Sequence, residues 1–504
     1  MLSLAVRNTK KLVRRKVEEE NVRIGRYFTK KEQAALMADM LTLPKKEIVS
    51  VLDAGAGTGI LAAAVVERLA KAGKAKEIYL DCYETNEEFL PMLKDNLERI
   101  RKKMLHDYKI RLRYTVIEEN YILAQGKMTP DDSRICLMDK MYYDLAISNP
   151  PRELMKTDSP EYAVCRRLCS GETDLCYLFA AAVSAALVPN GEAVMLLPVV
   201  FSTGAYVEKI RRYMFSRSVL TGAHIFLNRT QSDRLLDEAR KNMILAIKNT
   251  DKKPATVHVT TSYGEDTAVV SDMKLPYVDV VRGEEQSLLL LKSEEEAAVL
   301  ASVAKFPCTL SSLGLRMKTG LTLESRYPDL LREKPGEGAV PVIHPSGIRL
   351  GQVVFPNPAV KKQYILPTVP SILQKNRNML MIKRVPAKSD KKALFCGVYL
   401  ASQAPRDRMI STHNKLNYID YEDEREMDFN MVYGLFAVLN SSLYGKYYGI
   451  VSKSKQINAS EFADLPLPSE AALRAIGAKL AMSRIFSEKA CDALLSAQMK
   501  SGKL

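Results

Sequence analysis

The chain has 504 residues, 47% hydrophobic and 26% charged, enough for two domains with full-sized cores. Its net charge of +15 and pI near 9.2 favour a polyanionic partner, nucleic acid before membrane. No apolar leader opens it and no long apolar run crosses a bilayer, so a reducing cytoplasm is the expected location. The 8 cysteines are too few for a disulfide framework in a chain of this length.

Residues 1–22 read as a solvated helix, basic from Lys10 to Arg15 and acidic from Glu18 to Glu20. Gly25-Arg26-Tyr27-Phe28-Thr29 follows. Thr29 is the expected N-cap of a helix over Lys30–Leu41, with Glu32 completing a capping box. A helix N-terminus suits an anion, so Phe28 and Thr29 are candidates for the apolar part and the carboxylate of one ligand. Ile48–Leu52 is a buried strand that runs into Asp53-Ala54-Gly55-Ala56-Gly57-Thr58-Gly59 and then a helix, the nucleotide-binding βα unit. Glycines such as Gly55 and Gly57 let backbone turn tightly and approach a ligand. The spacing is G-x-G-x-G after an acid, not the dinucleotide G-x-G-x-x-G, and Asp53 favours a ligand with a cationic group over a pyrophosphate. Glu77–Tyr83 is a second strand ending at Glu84, an acid placed to take ribose hydroxyls. After a third strand, Arg111–Ile117, Asn120 suits an adenine edge and Tyr121 suits stacking beside it.

Tyr143–Ser148 is a fourth strand, with the length and branching of a buried parallel strand, stopped by Asn149-Pro150-Pro151 because proline has no N–H to continue a ladder. Asn149 and the Pro150 carbonyl are then displayed at the strand's carboxyl end, where open α/β sheets bind ligands. Such a rigid pair of acceptors suits an amino group whose nitrogen is to react. Arg152–Gly171 reads as a mobile polar loop. The helix Asp174–Leu187 ends at Pro189-Asn190-Gly191, and Glu192–Pro198, Val219–Leu227 and Lys241–Ile247 complete seven strands. Cys165, Cys169 and Cys176 lack metal-ligand spacing, and no metal is expected. The pattern weakens over Asn249–Lys292, which sets a boundary near 290 between domains 1–290 and 291–504. Beyond it basic residues (Lys361, Lys362, Lys375, Arg377, Lys383, Arg384, Lys388, Lys391, Lys392) mix with Tyr364, Tyr418, Tyr444, Tyr447 and Tyr448, a texture suited to DNA.

Taken together, Phe28-Thr29, the Asp53–Gly59 loop, Glu84 and Asn149-Pro150-Pro151 resemble the adenine-specific DNA methyltransferases of bacterial type II restriction-modification systems. The motif order is similar to the gamma arrangement of the PstI/BsuBI-like and TaqI-like members. Lys318-Thr319-Gly320, His413–Tyr418, Leu439–Ser442 and Gln456–Ala459 are similar to signposts of that family's recognition domain. The resemblance implies a Rossmann-like α/β methyltransferase domain of seven strands over 1–290 and a mixed α+β target-recognition domain over 291–504. It implies S-adenosylmethionine as methyl donor, held by Phe28, Thr29, Asp53, Gly55, Gly57, Glu84, Asn120 and Tyr121. Double-stranded DNA is the implied partner, with a cognate restriction endonuclease encoded alongside. A monomer in a prokaryotic cytoplasm is expected. Asn149, Pro150, Pro151 and Arg152 would hold a flipped-out adenine. Arg152 departs from the pattern, because an aromatic residue usually follows Pro-Pro and stacks on the base. A guanidinium can stack too, and Phe226 is the alternative stacking residue. The rival functions are a DNA-binding homologue in which Arg152 impairs catalysis and an N-P-P methyltransferase acting on RNA.

Overall fold

The computed structural model describes residues 1–504 except 20–27, 128–135, 138–141, 228–241, 265–266, 368–369, 386–393, 453–455 and 503. Gly25-Arg26-Tyr27, Lys241, Lys388, Lys391 and Lys392 therefore lie outside the described residues. The chain divides into two compact units, Met1–Glu294 and Glu295–Leu504.

The first unit is built on one twisted sheet. β1 (Ile48–Ala54), β2 (Glu77–Tyr83), β3 (Arg111–Ile117) and β4 (Tyr143–Ser148) are parallel neighbours or next neighbours, and all six residues of β4 are buried. Burial on both faces is why Leu145, Ala146 and Ile147 follow one another in β4, while the buried Asp144 is held by Ser50 and Lys46. β5 (Leu187–Pro198), β6 (Val219–Leu227), β7 (Asn242–Lys248), β8 (Thr256–Tyr263) and β9 (Ser271–Pro276) extend it. The order is β9-β8-β6-β7-β5-β4-β1-β2-β3, with β7 antiparallel to both its neighbours. The sequence suggests seven strands; the described residues form nine. The two additions, β8 and β9, pair antiparallel at one edge inside the stretch where the pattern weakens. Their burial is partial, so their alternation is diluted by exposed polar residues such as His258 and Lys274.

Helices cover both faces: α1 (Leu2–Glu19), α2 (Lys31–Asp39), α3 (Ile60–Ala72), α4 (Leu90–Tyr108), α5 (Tyr121–Gln125), α6 (Pro160–Cys165), α7 (Leu175–Ala185) and α8 (Glu208–Phe215). Three differ from the sequence expectation. α1 is not a solvated helix. Met1, Leu2 and Ala5 are buried in the core with α3 and α4 residues. Thr9 Oγ1 meets Thr58 Oγ1 at 2.6 Å, and Asn8 bonds Asn96, which donates to the Thr58 carbonyl. α2 starts after Lys30, whose side chain makes no cap, so the Thr29–Glu32 capping box does not form. The segment expected to be a mobile loop contains α6, capped by Ser159, and a short ladder of Leu154–Met155 with Thr173–Asp174.

The second unit holds two small sheets. One contains Leu315–Thr319, Leu416–Tyr421, Met379–Lys383, Cys396–Tyr399, Gln352–Val353 and Ile348–Arg349 in that order. The other contains Leu331–Arg332, Tyr364–Ile365, Val340–Ile343, Met409–Thr412 and Leu373–Lys375. The motif residues of this half serve its own joints: Thr319 donates to Asn417, Asn417 to the Ile457 carbonyl, and Ser441 caps the helix Ser442–Val451. The aromatic face expected for DNA is internal, because Tyr364, Tyr418, Tyr444, Tyr447 and Tyr448 are all buried. Arg377 is likewise buried and paired with Asp420 at 3.2 Å, and Lys375 pairs with Glu424 at 3.1 Å. Lys361 and Lys362 are exposed.

Candidate active site

The carboxyl ends of β1, β2, β4, β5 and β6 open onto a single cavity of about 1150 Å³ in the first unit. Small-ligand pockets run to roughly 300–1,000 Å³, so this one has room for a cofactor-sized ligand and a second planar group.

Its first side is made by the loop after β1. Gly55, Gly57 and Gly59 all have positive φ, a conformation that a Cβ makes costly. A Cβ on Gly57 would lie 3.6 Å from the Phe28 ring, inside the cavity. The loop is tied to β2: Gly55 and Ala56 N–H groups donate to the Tyr83 carbonyl at 3.1 and 2.8 Å, and Gly57 N–H donates to Glu84 Oε2 at 2.7 Å. Glu84 Oε1 accepts from Asn86 N–H at 2.7 Å. One carboxylate thus sets the spacing of two loops while remaining on the cavity wall, where its further lone pairs suit hydroxyl groups. Phe28 and Phe89 meet edge to face at 5.0 Å beside it and form an apolar wall.

Asp53 stands behind this loop, not on it. It is fully buried, is not part of the cavity wall, and accepts from Ala62 N–H in the first turn of α3 at 2.9 Å. Burial pushes its carboxyl up to about 7, the nearby Glu84 charge adds to this, and the Ala62 bond opposes it. Its expected direct contact with a ligand's amino group is therefore not made by the wall. Asp53 orients the helix that the glycine loop enters. Asn120 lines the cavity, but its side chain is the N-cap of α5: Oδ1 accepts from Ile122 and Leu123 N–H, and Nδ2 donates to Glu161 at 2.8 Å. An adenine edge would have to be met by the second Nδ2 hydrogen or by backbone. Tyr121 is buried between Tyr83, at 4.9 Å, and Phe179, at 5.4 Å.

The second side is the end of β4. Asn149, Pro150, Pro151 and Arg152 all line the cavity. Asn149 Nδ2 donates to Thr29 Oγ1 at 3.0 Å across 120 residues of chain. Arg152 forms no ion pair with Glu153, and its Nη2 is buried without a hydrogen-bond partner. Phe226, at the end of β6, faces the same cavity and packs edge to face on His224 at 4.7 Å. His224 is buried between Thr260 and Ser262, and burial lowers its pKa to about 4, so the ring is neutral at pH 7.

Residues 11–228 match the family model described as N-6 DNA methylase. Most of the first unit is thus similar to an N-6 DNA methylase. It is 25% identical over 464 residues to the type II methyltransferase M.BsuBI of Bacillus subtilis, covering 90% of this chain and 89% of that one. The same figures hold for M.PstI of Providencia stuartii. The solved type IIG restriction endonuclease BpuSI aligns with 94% of this chain and 66% of its own, at 11% identity and a TM-score of 0.45.

The first unit thus brings to one wall all the candidate donor-binding and target-binding residues except Asp53. Sequence reasoning overlooked Tyr83, Phe89, Phe179, Leu196 and Asn242 on that wall. Tyr83, Leu196 and Asn242 lie at or near strand ends, which is the signal that could have found them. Elsewhere, Glu324, His344 and His413 have potential ligand atoms within 4.8 Å of one another. His413 Nδ1 already accepts from Lys415 N–H at 3.1 Å, and we assign no metal there. No described helix is long and apolar enough to cross a membrane.

Proposed function

We infer that the protein transfers the methyl group of S-adenosylmethionine to the N6 amino group of adenine at a specific site in double-stranded DNA. The modification would protect host DNA from a cognate restriction endonuclease. The observation that carries this reading is one cavity holding both the glycine loop with Glu84 and the Asn149–Pro150 acceptors. S-adenosylmethionine supplies an activated methyl group. The chain's residues supply placement. Phe28 and Phe89 offer an apolar wall to the methionine part, Glu84 accepts from the ribose hydroxyls, and the packed Tyr83–Tyr121 pair walls one side of the space for an adenine ring. Asn149 Oδ1 and the Pro150 carbonyl accept the two N–H groups of the target amine, which raises electron density on its nitrogen and aims its lone pair at the methyl carbon. The gain comes from orientation and preorganised dipoles, with no covalent enzyme intermediate. Arg152 and Phe226 bracket the space for the flipped base. The second unit supplies the recognition of sequence, with exposed cations such as Lys361 and Lys362 on phosphates.

Modification-sensitive sequencing of DNA from cells expressing the protein tests this. One methylated adenine context, lost in Asn149→Ala, is expected. Modified cytosine, or no modification, would reject it.

A further inference from the structure

Asn149 is useful to an incoming amine only in one of its two amide orientations. With Oδ1 forward it accepts from the amine. Rotated by half a turn it presents Nδ2, and two donors then face each other. The backbone of Asn149 cannot choose between these states, since the amide turns about a side-chain bond. Something outside β4 must hold it.

We propose that Thr29 is a positioning residue for the target amine, its Oγ1 holding Asn149 Nδ2 so that Oδ1 is the atom presented for reaction. This rests on the proposed adenine methylation. Three observations support it. The Thr29–Asn149 bond is 3.0 Å, with the Asn149 nitrogen as donor. Thr29 is 7% exposed, so water competes little for the hydroxyl. Thr29 also stands just before α2 without capping it, so the side chain is not committed to that helix. A residue that fits the N-cap pattern yet caps nothing, and reaches a residue 120 positions away, has been taken over by a tertiary contact. A threonine hydroxyl has one hydrogen and two lone pairs. While a lone pair holds Asn149, the O–H can donate to the carboxylate of a bound methyl donor. A row then runs from donor carboxylate to Thr29, to Asn149, to the target amine, each member accepting from the next. Such a row polarises along its length. Donor occupancy would thereby sharpen the aim of the acceptor site.

The test compares Thr29→Val, Thr29→Ala and Thr29→Ser in the full chain by single-turnover methyl transfer to a duplex at saturating donor. Val and Ala remove the hydroxyl, and Ser keeps it. Loss of aim should slow transfer about a hundredfold in Val and Ala, the effect of roughly 1 Å misplacement. Ser should recover most of the rate. Melting curves of the three variants identify any that fail to fold, and the pair of hydroxyl-free variants keeps the comparison open if one does. If Val and Ala raise the donor KM but reach the wild-type rate at saturation, Thr29 touches only the donor and the proposal is wrong. If Ser is as slow as Val, the hydroxyl is not the operative group and the proposal is equally wrong. Wild-type protein that transfers no methyl to any DNA would overturn the adenine reading itself, and this proposal with it.

Discussion

The two sides of the cavity are held in different ways. On the glycine-loop side the key acids and amide accept from backbone: Glu84 from Gly57 and Asn86, Asn120 from Ile122 and Leu123, and, behind the wall, Asp53 from Ala62. On the Asn149 side the links run between side chains, Asn149 to Thr29 and His224 to Thr260 and Ser262, and Arg152 Nη2 is buried with no partner at all. Backbone-anchored groups are placed by the fold itself and need no ligand to be in position. Side-chain links are looser, and they suit a surface that must admit a base brought in from a duplex. The difference implies that changes on the first side act on folding and donor affinity together, whereas changes on the second act on transfer.

The sharpest break of that contrast is Asn149→Ala. Removing a preorganised partner of the reacting group should lower the transfer rate by about 10²–10³ or more. Donor affinity, measured by calorimetry, should change far less, because Asn149 reaches the donor's binding groups through Thr29 and does not itself hold the donor.

Titration should separate the sides next. Asp53 has its folded pKa raised to about 7, so its contribution is present below the ordinary carboxylate value of 3.8 and is lost as pH rises through 7. His224 has its pKa lowered from 6.5 to about 4, so its contribution is present above 6.5 and is lost as pH falls towards 4. By the size of the shifts these are about 4 kcal/mol for Asp53 and about 3 kcal/mol for His224. Asp53→Asn should therefore be more stable than wild type at pH 8 and gain nothing at pH 4. Urea melts of both proteins at the two pH values measure this. His224→Gln should flatten the acid side instead, against the cost of repacking under Phe226.

Smaller effects sharpen the account of the second side. If Arg152 stacks on the flipped base, Arg152→Ala should lose about 1–3 kcal/mol of transition-state binding, and Arg152→Tyr should restore it. A mismatch opposite the target adenine lowers the flipping cost and should partly rescue the Ala variant. If both variants fall alike and no mismatch rescues them, Phe226 is the stacking residue.

Much of the first unit was legible in its sequence because its central strands β1, β4, β5, β6 and β7 are largely buried on both faces and its turns demand glycine or proline. Asp53–Gly59 and Asn149-Pro150-Pro151 carry their geometry in their residue types. Other features were not legible, the buried face of α1 and the helix α6 among them. Thr29 fits an N-cap pattern, but only the folded chain brings Asn149 to it. Asp53 ends a strand at the ligand edge, yet which way its carboxylate turns depends on α3. β8 and β9 are partly exposed edge strands, so their apolar alternation is weak. In the second unit the tyrosines suggested a DNA-facing surface, but tyrosine is as suited to a core that gives its hydroxyl a partner, as Tyr444 does with the Pro466 carbonyl at 3.0 Å. Composition cannot tell the two uses apart.

A cavity that joins a methyl donor to an adenine amine must leave its mark on one nucleoside. Purified protein incubated with donor labelled on the methyl group and a DNA duplex population, followed by digestion to nucleosides, measures it directly. The label should appear in N6-methyldeoxyadenosine and vanish with Asn149→Ala. Label in methylated cytosine, or none in any nucleoside while donor still binds, would contradict the account.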